Sequence, residues 1–484
     1  MKTFLRILGI LLVVLLLAAA VVWRALTPPS PLEQPEQGLV LEGVIAVQPG
    51  EGRSGPNRII VEQGTIASVR TSAEAGEFSG AYVLPGLIDM HVHFPPKTGL
   101  RQSELFAFLF LYHGVTSVRD AADADGTSTA PARDGVREGR FPGPRVFACG
   151  PLVDGPEPVW ANSIVVRTPA EAKQAVAKIA ADGFDCVKAY NSLSAEALAA
   201  VRQAAAEHEL PVIGHVPWGV PFEEARLDDA QHLIGVHPVH DPPLRFPESL
   251  KAWRQFDEAR ARYVTGMSIA YDIAHTPTLV VLDRLAAVED YDAARAEPDA
   301  QLLPRYYRDV VWSPTEGLPF LRNRTAEEYA HYREGLARGG ALVARMHEAG
   351  VRIHAGTDTQ VPFQVPGAAL QRELRLLADA GLGPDAALAA ATTVPGQTLG
   401  VPGLGRVEPG SPADLLVFRE DPTLNLDALD TLEAVIADGR LYRVADLEAQ
   451  LDRYRKHHEG RIFDAVSTAL VRRVLGRMFA DTDH

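Results

Sequence analysis

The chain has 484 residues, more than one average domain needs, with 47 basic against 62 acidic side chains for a formal charge of -15. That balance, with no basic patch interleaved with aromatics, argues against a nucleic-acid partner. Two cysteines, Cys149 and Cys186, cannot build a disulfide framework; both fall in expected strands and read as small buried thiols.

Lys2 and Arg6 precede an uncharged run from Ile7 to Trp23, near the lower length limit for a membrane-spanning helix and longer than a usual signal-peptide core. Ala18-Ala19-Ala20 offers a cleavage site, but Val21-Val22-Trp23 behind it is a poor start for a released protein. We therefore expect residues 1–26 to persist as an anchor, with a cleaved, secreted form as the alternative. The positive flank should stay in the cytoplasm, placing the rest outside the inner membrane, in the periplasm or beyond; Arg24 weighs against that orientation. No cysteine follows the run to carry a lipid. Residues 27–38, opening with Thr27-Pro28-Pro29-Ser30-Pro31, read as a stiff extended linker.

Short strands are expected over Leu39–Val47, Arg58–Glu62 and Thr65–Val69, the last two joined by a hairpin at Gln63-Gly64. A matching pattern returns at Ala413–Phe418 and Ala434–Ala437, with a turn at Asp438-Gly439 before Leu441 and Tyr442. Residues 39–84 and 401–443 thus predict one small β-sandwich built from both chain ends. Between them, residues 85–400 alternate strand and helix signals. The apolar run ending at His91 is followed by Val115–Val118, Val146–Cys149, Cys186–Ala189, Val212–Gly214, Ala230–Leu233, Thr278–Val281 and Val351–His354. Long crossovers imply parallel pairing, and eight units closing on themselves predict a (β/α)8 TIM barrel in the α/β class. An open doubly wound sheet is the alternative, but no glycine-rich nucleotide fingerprint follows a strand.

Thr168-Pro169-Ala170-Glu171 is a capping box whose helix stops before Gly183, and Gly383-Pro384 opens another through Leu388. The stretch 238–341 is too long for ordinary loops and predicts helical insertions over the barrel mouth. The tail 444–484 reads as helix, with Ile462, Phe463, Val466, Leu470, Val474 and Met478 as an apolar stripe for core or dimer packing; a position on the membrane beside the anchor is the lesser reading. A homo-oligomer is therefore one expected partner, with a small-molecule substrate and the membrane.

His91 and His93 leave one strand on the same face. On such a barrel Lys188, His215, His232 and Asp358 also reach carboxyl ends of strands, where active sites of this architecture lie. Four imidazoles with a carboxylate suit zinc and several other divalent metals. A free ammonium cannot ligate a cation, but a desolvated, neutral amine can react with carbon dioxide to give an anionic carbamate, a two-oxygen ligand. The duller readings are an ion pair of Lys188 with Asp185 or Asp358, packing for the histidines, and a helix cap for Asp358. His113, His208, His347, His354, His457 and His458 read as structural, while His237, His240 and His275 lie where substrate could be touched.

The motifs then carry a resemblance. Pro85-Gly86-Leu87-Ile88-Asp89-Met90-His91-Val92-His93, Gly114-Val115-Thr116-Ser117-Val118-Arg119-Asp120, Val187-Lys188-Ala189-Tyr190, Gly356-Thr357-Asp358 and the run Gly405–Leu415 resemble, in order, the amidohydrolase superfamily. The branch is that of prolidase-like and imidazolonepropionase-like enzymes, over about Leu39 to Tyr442. The resemblance implies His91, His93 and Asp358 on the more buried of two divalent ions, with zinc expected. It implies His215 and His232 on the exposed ion, and the carbon-dioxide-derived carbamate of Lys188 bridging both. Gln231 stands where relatives commonly have glutamate. Asp358 would take the proton of the attacking water; Tyr190, on the strand face of Lys188, would donate to the developing oxyanion or simply pack, and Trp218 would wall the substrate. Arg119 would bind a substrate carboxylate or pair with Asp120 or Asp123. The implied reaction is hydrolysis of an amide or peptide-like bond in a dipeptide or N-acyl amino acid, with lactone or phosphoester hydrolysis, or a non-catalytic tethered binding protein, as alternatives.

Overall fold

The computed structural model describes residues 2–96, 100–123, 126–160, 162–240 and 248–478. Strands from both chain ends share one seven-stranded sheet. They are β1 (Leu39–Gln48), β2 (Gly52–Glu62), β3 (Thr65–Thr71), β4 (Tyr82–Pro85), then, after the central α/β region, β14 (Leu415–Phe418), β15 (Leu432–Ala437) and β16 (Arg440–Arg443). The order is β16-β15-β14-β4-β1-β2-β3, antiparallel except where β1 meets β4. Alternate side chains, among them Leu41, Ile59, Val83, Leu415, Val417, Ala434 and Ile436, bury one face as a core of its own. Both expected hairpin turns are present, with Gln63 and Gly64 at φ 48° and 75° and Asp438 and Gly439 at 50° and 70°. The two turns touch: a Cβ on Gly439 would lie 2.8 Å from the Gly64 Cα. Gly439→Val is therefore expected to cost about 1–3 kcal/mol, read as a lowered thermal midpoint with unchanged metal content.

The central strands pair in parallel. β5 (Leu87–Val92), β6 (Val115–Asp120) and β7 (Arg145–Ala148) form one sheet. The other runs β13-β12-β11-β10-β8-β9, comprising β8 (Leu152–Asp154), β9 (Ile164–Val165), β10 (Val187–Ala189), β11 (Val212–Gly214), β12 (Asp229–Gln231) and β13 (Ala274–Thr276). The chain passes from one sheet to the other where β7 runs into β8: Asp185 N–H bonds Ala148 O at 2.7 Å, while Lys188 pairs with Leu152. At the opposite side His275 bridges Ile353, and Met90 N–H and Asp358 N–H bond Ala355 O (3.0 Å) and His91 O (2.7 Å).

Four expectations need correction. Cys149 and Cys186 are not thiols; they form a disulfide, because neighbouring strands bring their Cα atoms to 4.4 Å. Residues 278–281 are not a strand. Pro277 follows β13, and the apolar run opens the helix Leu279–Ala287, whose first amides Leu279 N and Val280 N bond the buried Glu373 carboxylate at 3.0 and 2.7 Å. A short apolar run of this kind has no periodicity that separates helix from strand. Residues 351–354 contribute only the bridge at Ile353. The tail is two helices, Val444–His458 and Arg461–Met478, and residues 479–484 lie outside the described residues.

The capping box at Thr168 is formed, Glu171 N–H donating to Thr168 Oγ1 at 3.2 Å at the start of the helix Pro169–Ala181. Within 238–341, of which 241–247 lie outside the described residues, the helices Glu258–Ala270, Leu279–Ala287 and Ala326–Glu348 stand. The N-terminal helix Lys2–Leu26 is long and apolar enough to cross a membrane, with mean hydropathy 2.9 over an 18-residue window within Thr3–Leu26.

Candidate metal centre

His91 and His93, two apart on an extended segment, project together, and their Nε2 atoms lie 3.3 Å apart. Asp358 Oδ1 approaches both, 3.3 Å from His91 Nε2 and 3.1 Å from His93 Nε2. The three ligand atoms lie within 4.8 Å of one another. The His232 ring lies tilted at 4.5 Å from the His91 ring and meets the His215 ring edge-on at 4.9 Å. Lys188, 1 % exposed, reaches Gln231 Oε1 through Nζ, and its charge bears on His91, His215 and His232. All six predicted residues thus gather at one place.

The backbone holds them there at a cost. His232 and Asp358 sit at φ 59° and 60°, a left-handed conformation that bulky side chains seldom adopt. Bonds from their amides to Thr276 O (3.0 Å) and His91 O (2.7 Å) maintain it. Gly356 lets the Asp358 segment approach, since a Cβ there would come within 3.0 Å of the His91 backbone nitrogen.

Three of the imidazoles, those of His93, His215 and His232, are oriented by their second nitrogens. His93 Nδ1 faces Ala122 O at 3.0 Å, and His215 Nδ1 faces Asn191 Oδ1 at 2.7 Å. A carbonyl oxygen accepts, so the proton sits on Nδ1 and the lone pair of each Nε2 is left for a cation. His232 Nδ1 is tied to Thr278 Oγ1 at 2.6 Å. Burial opposes charge on His93, yet hydrogen bonds to Asp120 and Asp358 raise its pKa to about 10. Burial lowers His232 to about 4, and holds His91 and His215 well below the ordinary histidine range. Asp358 is held well below the carboxylate range: burial works against its charge, and His91 and His232 more than compensate. Asp120 and Asp358 thus favour a proton on His93, which a metal ion would have to displace, while the other three imidazoles stay neutral, as ligation requires.

Several contacts were not anticipated. Buried Asp89 accepts from His91 N (3.2 Å) and Thr357 N (3.1 Å) through Oδ1 and from Thr357 Oγ1 (2.8 Å) through Oδ2, and burial raises its pKa to about 7. Its only sequence signal was membership of the Asp89–His93 motif. Arg119 faces neither Asp120 nor open space; its guanidinium pairs with buried Asp229 and its Nε donates to Met90 O at 2.9 Å. Lys188 does not pair with Asp185, which accepts from Ala148 N at 2.7 Å. His275 is away from the mouth, buried against Phe222 with Nε2 at 2.9 Å from Ser268 Oγ, and His237 packs edge-on to Trp253. Buried His354 lies between Asp229 (3.2 Å) and Thr398 (2.9 Å). Tyr190 stacks on His215 at 4.4 Å and accepts from Trp160 Nε1 at 3.2 Å. Trp218 is half-buried, its backbone N–H on Asn191 O at 2.9 Å.

Comparison with known proteins gives three results. Uncharacterized proteins of Mycobacterium bovis and Mycobacterium tuberculosis are 34 % identical over 113 residues, a match spanning 23 % of this chain and 29 % of those relatives' length. Among solved structures, bottromycin amidohydrolase superposes with a TM-score of 0.71 at 24 % identity, covering 91 % of this chain and 93 % of that one. A Bifidobacterium longum protein described as a prolidase gives 0.62 at 26 % identity, covering 87 % and 99 %. The amidohydrolase family model matches residues 82–443, three-quarters of the sequence and the whole segment that carries the histidine, lysine and aspartate cluster, so the chain belongs to the amidohydrolase family.

Proposed function

We propose that this chain is a metal-dependent hydrolase of an amide or peptide-like carbon–nitrogen bond in a small substrate, of the dipeptide or N-acyl amino acid type. The observation that carries it is the convergence of His91, His93 and Asp358 within 4.8 Å, with His215, His232 and Lys188 beside them. The backbone bonds joining the two parallel sheets support reading 85–400 as a closed (β/α)8 barrel, with 39–84 and 401–443 as the accessory β domain.

The donor set fits two divalent cations, zinc being the expected identity. His91, His93 and Asp358 would hold one, His215 and His232 the other, and Lys188 as its carbamate would join them. When bound, such a pair acidifies water and polarises the scissile carbonyl. The protein's own groups do the rest. Asp358 Oδ1 is engaged by both imidazoles, so Oδ2 is placed to take the proton of the attacking water and pass it to the leaving nitrogen. The Tyr190 hydroxyl, kept protonated by burial, donates toward the developing oxyanion, and Trp218 supplies an apolar wall.

Metal analysis of the purified protein is expected to give about two equivalents, and chelation to abolish turnover. Matched amide, lactone and phosphoester substrates should favour the amide; a protein with no bound metal, or one that hydrolyses only the esters, would overturn the assignment. The disulfide and the positive flank before the N-terminal helix support an anchored enzyme outside the inner membrane, since disulfides persist in oxidising compartments.

A further inference from the structure

The helix Arg461–Met478 has two unlike sides. Phe463, Ser467 and Leu475 are buried against the body of the protein. Ile462, Leu470 and Val474, one apolar row at four-residue spacing with Val466, are 39–40 % exposed. Arg473 and Arg477 stand one helical step from that row. The helix carries four arginines and one aspartate in a chain whose formal charge is -15. Arg472 is bound by Glu316 at 2.9 and 3.1 Å, but Arg461, Arg473 and Arg477 have no acidic partner among the described residues.

This helix also packs against the N-terminal helix. That helix is exposed along its length and becomes half-covered only at Val22, Ala25 and Leu26, the end that meets the folded protein. Phe4 to Trp23 rises about 30 Å, the thickness of a bilayer's hydrocarbon core. Trp23 and Arg24 would then stand at the headgroup level, and a helix packed on that end stands at the same level.

We propose that Arg461–Met478 is a membrane-surface helix: its exposed apolar row seats between lipid chains and its free arginines bind anionic headgroups, holding the enzyme against the bilayer. This rests on the reading of the N-terminal helix as an anchor. The occupant is a lipid surface because the basic face adjoins the point where the chain leaves the membrane; a second copy of this acidic chain would bring no such concentrated negative charge to it.

The test uses the full chain in vesicles of phosphatidylcholine alone or with phosphatidylglycerol, with a nitroxide at exposed Ala469→Cys and, in a second sample, at Leu12→Cys. The two native cysteines are bonded to each other and do not label. With anionic lipid, the Ala469 label is expected to collide with oxygen in preference to a water-soluble nickel complex. Arg473→Glu with Arg477→Glu should lower the docked-to-undocked ratio by about thirtyfold or more. A water-exposed Ala469 label in both lipids, with the Leu12 label in hydrocarbon, overturns the proposal and leaves the anchor standing. A label shielded from both agents and broadened by a second spin shows a copy–copy interface and also overturns it. A Leu12 label in water removes the anchor, and the proposal with it.

Discussion

Asp358→Asn is expected to lower kcat/KM for the best amide substrate by on the order of 10³-fold or more. The substitution is chosen because asparagine tolerates the left-handed backbone at φ 60° and preserves the side chain's shape. It removes the negative charge that His91 and His93 face at 3.3 and 3.1 Å and the carboxylate oxygen proposed to carry a proton from the attacking water to the leaving group. Because its contacts with His91, His232 and His93 hold the native carboxyl well below its usual range against the effect of burial, the aspartate is ionised throughout neutral pH. The check is steady-state kinetics on matched amides, with metal content and thermal midpoint measured on the same samples. A variant within about threefold of the wild type, folded and metal-loaded, would sink the assigned proton path.

Lys188→Met is expected to take bound metal from about two equivalents to about one, and to cost on the order of 10²-fold in kcat/KM. Burial pulls the Lys188 pKa down to about 7; Asp358 works against that shift and Arg119 adds to it. A substantial fraction is thus a neutral amine at pH 7, whose nitrogen can add to the carbon of carbon dioxide. The nitrogen–carbon bond forms, one carbon–oxygen electron pair moves onto oxygen, and the displaced N–H proton goes to water. Gln231 would serve both states: Oε1 accepts from the lysine, while Nε2, buried and without a partner among the described residues, would donate to a carbamate oxygen. Methionine keeps the packing volume and removes the nucleophile. Elemental analysis reads the metal, and a carbon-13 carbamate resonance after labelled bicarbonate reads the modification. Two metals and full activity in Lys188→Met would show that the lysine is not a ligand.

The site was legible because metal chemistry restricts residue type. His91-x-His93 fixes a shared face by strand period alone, and histidine, lysine or aspartate at the ends of apolar runs stand out against their neighbours. What escaped depends on which strands become neighbours, which no local pattern states. The Cys149–Cys186 bond needs the register that sets Asp185 opposite Ala148, and the Arg119–Asp229 pair crosses from β6 to β12. The helix at Leu279 is settled by Glu373, a residue far along the chain whose carboxylate satisfies its first amides. The two hairpins and the Thr168 cap could be read because each is complete within a few residues.

Asp89 has a consequence for how this enzyme can diversify. One carboxylate accepts from the amide of His91 and from the amide and hydroxyl of Thr357, 268 positions later, so the spacing between the histidine pair and Asp358 is gauged by a single internal ruler. The loops threaded between the strands that carry Lys188, His215 and His232 can lengthen or change shape while that gauge stays set. Selection can therefore remodel what enters the centre without detuning the centre itself.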